Sequence, residues 1–511
     1  MNQFHPIIYV RGYAMTASEI ADTVSMPYMG FNLGATKVRQ SWDGSVYKQI
    51  FESPMMRLMK DYNYTDAFSD GAEIDQNITR KTVIIYRYYD QADKDFGEGK
   101  PLSIPAAALQ LRDLILNVRQ QICGDNGVQQ AKFRVYLVAH SMGGLVCRCL
   151  LQNDGISTPE IREMVDKVFT YATPHNGIDM AGINVPSFLG LWDINNFNRE
   201  TMAGYLSLSG KPRRVDSLDG KFDPNRFFCL VGTDQQDYGA AKGASKWLAG
   251  KMSDGLVAIE NATVQGAPRA FVFRSHSGPY GIVNSEDGYQ NLVRFLFGDI
   301  RVDGVMEVEA LPLPPSVEKA KKAGRRIRAS YYFEATVSPR GGRSFRLTER
   351  RKETFSAVLR KFDEMMKPEQ AGLDSARCPV LFSTFLDSSQ ITVNRGRTLV
   401  MTVELTVSAT DYFVDGALWA QHRVEGEYLY RDTLTLKITP SKTGWNLSYV
   451  TTDEQWSERG GSRVEPDGAN YRIPLSSKKG FKAQLRLTLQ RHPSTELVGD
   501  GYWRKAGSWD L

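Results

Sequence analysis

The chain has 511 residues, 42% of them apolar and 24% charged, with a formal net charge of +5. That length predicts two or three domains, and the balance is that of an ordinary globular protein rather than a disordered or fibrous one. No apolar run approaches the roughly 20 residues that span a bilayer. The N-terminus shows no basic, apolar and small-residue succession of a cleavable signal, so the chain is expected to be cytoplasmic, or to be exported by a route that needs none.

Pro6-Ile-Ile-Tyr-Val10 predicts a buried strand ending in Arg11-Gly12-Tyr13. Residues 17–75 then read as a helical and irregular insertion containing Met26, Tyr28, Met29, Phe31, Met55, Met56 and Met59. Soft apolar side chains of this kind suit either acyl chains or buried helix packing. Thr82–Tyr86 reads as a strand and Ile104–Cys123 as a helix with apolar positions at helical spacing.

The most informative stretch is Arg134-Val-Tyr-Leu-Val-Ala-His-Ser-Met-Gly-Gly144. Its apolar, β-branched run suits a strand buried on both faces, and it leads straight into Ser141 among small residues. Such a strand-to-helix turn lifts a serine Oγ above a sheet. The following helix, Leu145-Val-Cys-Arg-Cys-Leu-Leu151, would aim its positive N-terminal dipole at that serine. Ala139 stands where G-x-S-x-G has glycine, and its methyl narrows the room in the turn.

A serine nucleophile needs a base and an orienting carboxylate. Of the six histidines, His175 and His276 follow Ser141 within the same predicted domain. His276 lies in a polar, glycine-containing loop after a short strand, and Asp254 sits 22 residues upstream in Ser253-Asp-Gly-Leu-Val257. The chain order nucleophile, acid, histidine assigns Ser141 as nucleophile, His276 as base and Asp254 as the group fixing its tautomer. The amides of Met142 and Tyr13 are the candidate oxyanion donors. Gly12 would permit the close approach.

These residues resemble the bacterial lipase branch of the α/β-hydrolases. Wider relatives are the lecithin–cholesterol-acyltransferase-like and GPI-deacylase-like lipases. The resemblance rests on residues 6–15, 134–144, Thr173-Pro-His-Asn-Gly177 and Ser253–Val257, and covers about residues 5–297. It is also carried by Phe51–Tyr64 followed by the strand Thr82–Tyr86 and Tyr88-Tyr-Asp90. It implies an α/β-hydrolase fold, a mostly parallel sheet flanked by helices with lid insertions, and it makes His175 a residue beside the site rather than the base. Family members carry His-Gly where this chain has Arg11-Gly12, so Arg11 could read a substrate phosphate or carboxylate, or lie in an internal ion pair. His140 joins Arg11 and His175 as a candidate substrate-binding residue. Some bacterial lipases hold calcium through an aspartate two residues after the histidine; Gly278 stands there, so no metal or cofactor is expected.

A second insertion, about residues 178–226, contains Val185-Pro-Ser-Phe-Leu-Gly-Leu-Trp192. Phe188, Leu189, Leu191 and Trp192 are candidates for a lid or acyl pocket, with ordinary packing the alternative. Phe227–Gly232 reads as the next strand and Gly288–Phe297 as the last helix of a domain over residues 1–300. The five cysteines (Cys123, Cys147, Cys149, Cys229 and Cys378) fit neither a disulfide framework nor a zinc site and read as reduced.

Residues 301–326 read as a Pro-then-Lys linker. Beyond it, Ser330–Val337, Thr398–Val407, Tyr428–Ile438, Trp445–Val450 and Phe481–Leu489 alternate with the period of half-buried strands. Residues 327–511 are therefore expected to form an antiparallel β-sandwich-like domain, interrupted by one helix near 352–366. From residue 301 onward 33 basic residues face 26 acidic ones, a net of +7, which leaves −2 for the first 300. The excess gathers at Lys319–Arg328 and Arg340–Lys352, a pattern that suits peripheral contact with anionic membranes or a solvated face. No nucleic-acid motif accompanies it.

The reading is a serine ester hydrolase of lipase or phospholipase A type, acting on lipid esters through an acyl-enzyme. A leaderless lipase with an appended β-domain would also suit an antibacterial effector that meets a delivery or immunity partner. An acyltransferase or soluble-ester esterase on the same triad, and a non-catalytic membrane-binding protein on a hydrolase scaffold, are the alternatives.

Overall fold

The computed structural model describes residues 4–492 other than 13–27, 33, 41–42, 70–71, 74–77, 93, 95–97, 101, 181–182, 185–196, 211–212, 236–252, 279–280, 341–344, 367–375, 390–397, 416–420, 442–443 and 455–460. Those residues form two compact units that divide between Phe297 and Gly298.

The first unit contains, in order, β1 (Ile7–Val10), β2 (Ala35–Gln40), β3 (Val46–Phe51), α1 (Pro54–Tyr62), β4 (Thr65–Asp66), β5 (Thr82–Tyr86), α2 (Ile104–Cys123), β6 (Val135–His140), α3 (Gly143–Gln152), β7 (Val165–Tyr171), β8 (Phe227–Gly232), β9 (Arg269–Val272) and α4 (Glu286–Phe297). Seven strands pair in the order β9-β8-β7-β6-β1-β5-β4, each pair parallel. Strands β1, β5, β6, β7 and β8 are buried along their whole length, as their continuous apolar runs require of a sheet covered on both faces. After β1 the chain goes to β5 on one side of it, then crosses back to β6 on the other. The strand order therefore reverses beside β1, and the crevice at the C-terminal ends of β1 and β6 is the place where such sheets bind ligands. The observed α/β architecture is that of the α/β-hydrolases.

The helices begin where sequence says they should. Ser103 caps α2 by accepting from the Ala106 amide, and Ser53 caps α1 by accepting from Met56, each with proline at the start of the helix. The insertion after β1 differs from the helical expectation. It holds an antiparallel hairpin, β2 with β3, before α1. Asp43-Gly44 supplies the turn, with Gly44 at φ +81° and the Asp43 carboxylate accepting from Ser45, a hairpin signal that outweighs helix propensity here. Met29, Phe31 and Met55 are buried and so belong to packing, whereas Met56 is 51% exposed.

The second unit contains β10 (Ile300–Ala310), α5 (Pro315–Lys322), β11 (Ile327–Arg328), β12 (Ser330–Pro339), β13 (Thr348–Arg350), β14 (Val358–Lys361), α6 (Phe362–Met366), β15 (Val380–Leu386), β16 (Leu399–Ala409), β17 (Tyr412–Asp415), β18 (Gln421–Val424), β19 (Tyr428–Ser441), β20 (Gly444–Val450), β21 (Ser462–Val464), β22 (Pro466–Asp467), β23 (Asn470–Ser476) and β24 (Lys482–Arg491). One antiparallel sheet runs β15-β10-β24-β23-β22; a larger one runs β13-β12-β16-β19-β20-β21, with β14 also on β12. Val302 and Met306 of the first and Leu405 and Leu436 of the second share one buried cluster, the core of a sandwich.

Two expectations fail here. Residues 301–326 are not a linker: β10 is paired on both sides, with β15 and β24, because Ile300, Val302, Met306 and Val308 alternate inward around an irregularity at Gly304/Val305. Nor does a helix run from 352 to 366. A turn with Phe355 at φ +54° leads into β14, whose pairing with β12 overrides helix propensity and leaves only the short α6.

Candidate active site

At the C-terminal end of β6 the chain turns abruptly into α3. Ser141 adopts φ +53°, a left-handed conformation that costs a non-glycine residue about 1–2 kcal/mol. The surroundings hold it there. Its amide donates to the Tyr171 carbonyl at 2.9 Å, and its carbonyl accepts from the Thr173 hydroxyl at 2.8 Å. The glycines of the turn are steric necessities. A Cβ on Gly143 would lie 2.1 Å from the Val10 carbonyl oxygen, and one on Gly12 would lie 2.3 Å from the Ser141 Cβ and 3.0 Å from the Met142 nitrogen. Ala139, fully buried and paired with Val10 and Thr170, accommodates its methyl.

The three residues assigned from sequence meet at this point. His276 Nε2 lies 2.9 Å from Ser141 Oγ, and Nδ1 lies 2.9 Å from Asp254 Oδ2. Asp254 is fully buried, and its other oxygen accepts from the amides of Leu256 (3.0 Å) and Val257 (2.8 Å). An ionised carboxylate accepts only, so Nδ1 carries the proton and Nε2 is left to accept from the serine hydroxyl. The His276 amide also donates to the Asp254 carbonyl, tying the two loops through backbone as well as side chain. Gly232, ending β8, makes room for the acid: its Cβ would sit 2.8 Å from that of Asp254. Arg274 closes the histidine loop onto α4 by pairing with Asp287 at 2.7 Å.

His140 and His175 take other places. His140 is buried and donates from Nε2 to the His276 carbonyl at 2.9 Å. Burial, and secondarily the neighbouring His276, hold its pKa well below the ordinary histidine value, so it is a neutral donor behind the base. His175 does not line the cleft. It is fully buried, its Nε2 3.1 Å from the Thr170 hydroxyl and its ring edge-on to Phe227. Burial, then Arg148, keeps it neutral. The Arg11 guanidinium donates to the Met29 carbonyl, anchoring the β1 end to the insertion, and its own carbonyl accepts from Tyr88. Met142 is buried at the cap of α3. Tyr13, Phe188, Leu189, Leu191 and Trp192 lie outside the described residues.

Sequence reasoning missed Arg148. This fully buried guanidinium on α3 donates to the carbonyls of His175 (2.7 Å), Val215 (2.7 Å) and Ser217 (2.8 Å) and to the Gln152 side chain. Burial lowers its pKa to about 10, so it stays charged at neutral pH. A lone arginine inside the apolar run 145–151 was the available signal. The described residues contain no group of His, Cys, Asp and Glu arranged to hold a metal ion.

A buried chain of hydroxyl, imidazole and carboxylate in this geometry can deprotonate the serine as it attacks a carbonyl carbon. The family model of a PGAP1-like alpha/beta domain matches residues 103–184, from the start of α2 through β6, α3 and β7. No curated protein matches the chain. Among solved structures it is similar to the lin2722 gene product of Listeria innocua (12% identity, covering 57% of this chain and 94% of that one, TM-score 0.26). It is similar also to phospholipase PlaB from Legionella pneumophila (11% identity, 83% and 92%, TM-score 0.30). The family likeness is thus confined to residues 103–184, the segment that carries Ser141.

Proposed function

We propose that the chain is a serine carboxylic-ester hydrolase of lipase or phospholipase A type. The observation that carries this reading is the continuous hydrogen-bonded path from Ser141 Oγ through His276 to Asp254, both links 2.9 Å, with the serine held in a strained turn above the sheet.

In the first half-reaction Ser141 Oγ attacks the ester carbonyl while His276 Nε2 takes its proton. Asp254 holds the tautomer and stabilises the imidazolium that forms. The Met142 amide, at the start of α3, and the Tyr13 amide bind the oxyanion. His276 then gives its proton to the leaving alcohol, which departs as the acyl-enzyme forms. Water activated by the same imidazole attacks the acyl carbon, and the acid leaves with Ser141 restored. Lipid esters are the proposed substrate class, in keeping with the exposed apolar side chains of Met56 on α1 and of Phe273, three residues before His276, at 51% and 47%.

The test is fatty-acid release from phospholipid vesicles by the wild type and by Ser141→Ala. Release abolished by the substitution supports a phospholipase. Release from neutral or soluble esters but not from vesicles would remove the phospholipid assignment and keep the hydrolase. Equal release by both proteins would remove the serine mechanism.

A further inference from the structure

The three-stranded sheet β11-β17-β18 carries an unusual outward row. Arg328 pairs in register with Phe413, and Phe413 with Arg423. The alternate positions Ile327 and Val414 are buried in the sandwich core, so this row faces away from it. Phe413 is 38% exposed between the two arginine positions.

The chain feeding this sheet is strongly cationic. Helix α5 buries Val317 and Ala320 in the core and exposes Lys319, Lys321 and Lys322, and Arg325 and Arg326 lead, also exposed, into β11. Three carboxylates pair within the group: Glu318 with Lys322 (3.1 Å), Asp415 with Arg328 (3.4 Å) and Asp411 with Arg423 (2.7 Å). Among the described residues no carboxylate approaches Lys319, Lys321, Arg325 or Arg326 within ion-pair distance. The other basic run differs. Arg346 and Arg351 pair with Glu349, Arg351 reaches Glu404, and the Lys352 ammonium lies over the Tyr332 ring.

We infer that the α5–β11–β17–β18 face docks on anionic lipid bilayers, the cations meeting headgroup phosphates and Phe413 entering the interface between headgroups and chains. Charge complementarity supplies the attraction, at about 1 kcal/mol per basic residue near such a surface, or roughly fivefold in affinity. An aromatic ring flanked by cations suits the boundary between polar and apolar layers. Single-stranded nucleic acid fits less well, since it asks for successive aromatic platforms along a basic groove, and this row offers one ring. The inference goes beyond the ester-hydrolase reading and stands independently of it.

The experiment is co-sedimentation of the full chain carrying Ser141→Ala, which cannot alter the vesicles by that chemistry, with phosphatidylcholine vesicles with and without one quarter phosphatidylglycerol. Binding is expected only to the anionic vesicles, weakening as salt rises. Lys319→Ala, Lys321→Ala, Arg325→Ala and Arg326→Ala together should reduce it several hundredfold, at roughly fivefold per charge. Phe413→Ser should reduce it by about tenfold, with thermal melts confirming that both variants fold. Undiminished binding by the quadruple variant, equal binding to both vesicle types, or tighter retention of single-stranded DNA than of anionic vesicles at the same salt would overturn the inference.

Discussion

The two units solve opposite problems. In the first, backbone is forced into close and strained approach where β1, β6 and β8 end: Ser141 is left-handed, and Gly12, Gly143 and Gly232 stand where a methyl would collide with main chain or with a site residue. In the second, long regular strands alternate faithfully; the glycines tight against main chain, Gly426 and Gly461, lie outside those strands, and the tight glycine within one presses on a side chain. A Cβ on Gly304 would meet the Phe382 ring at 2.4 Å. Strain tends to gather where chemistry is done, and the strained turn at Ser141 agrees with placing the proposed reaction in the first unit.

The largest expected effect tests that division outright. Ser141→Ala should lower kcat/KM for ester hydrolysis by about 10⁴-fold or more while leaving the melting temperature the same or higher. Thr336→Val, in the middle of a regular strand of the second unit, should leave kcat/KM unchanged. A comparable loss from Thr336→Val would break the comparison.

Arg148 comes next. Replacing it by leucine strands the buried carbonyls of His175 and Val215, while that of Ser217 keeps Gln152 Nε2 at 3.0 Å; at about 1–3 kcal/mol for each stranded group, the first unit should lose several kcal/mol in denaturant unfolding. Because Arg148 ties α3 to the carbonyl of His175, Arg148→Lys should recover part of the stability yet still lower kcat more than it raises KM. A variant with native kcat and only reduced stability would confine Arg148 to a structural role.

The glycines sharpen the contrast further. Gly143→Ala meets main-chain oxygen that cannot move without shifting β1, and should cost about 3 kcal/mol together with most of the activity. Gly304→Ala meets a side chain that can turn aside, and should cost about 1 kcal/mol with activity intact. Paired denaturation and ester-hydrolysis assays would check both.

How much of this could be read from sequence follows the same line. The strand-to-helix turn around Ser141 was legible because strain confines it to few residue types, and chain order then pointed to Asp254 and His276. The sandwich strands were legible from their period of two. The strand β10 was not, because Pro312, Pro314 and the lysines just beyond it suggested a linker and drew attention from Ile300, Val302, Met306 and Val308. The hairpin β2–β3 was hidden by a Met-rich stretch, although Asp43-Gly44 marked its turn. Arg148, and the role of Thr173 at the Ser141 carbonyl, escaped because their value lies in which carbonyls the fold brings to them.

Acid separates the units by sign, with a smaller effect. His5 is fully buried, and neither ring nitrogen has a hydrogen-bond partner. Burial lowers its pKa to about 4; Asp166 opposes this, while Arg80, Lys167 and Arg134 add to it. Between that value and the ordinary histidine value of 6.5 the unfolded chain binds more protons, so the first unit gains stability as pH rises through this window and loses it as pH falls. The loss attributable to His5 is about 2 kcal/mol at pH 5. In the second unit Asp299 is held above its ordinary value, chiefly by burial, against hydrogen bonds from Ser388. Its contribution runs the other way: it is fully present below the unfolded carboxylate pKa and is lost as pH rises through the raised one. Unfolding measured from pH 7 to pH 4.5 should therefore show His5→Phe flattening the acid loss of the first unit. Asp299→Asn should instead remove an acid-favouring slope from the second. An unchanged acid slope in His5→Phe would show that the histidine leaves its pocket or is hydrated there before it is protonated.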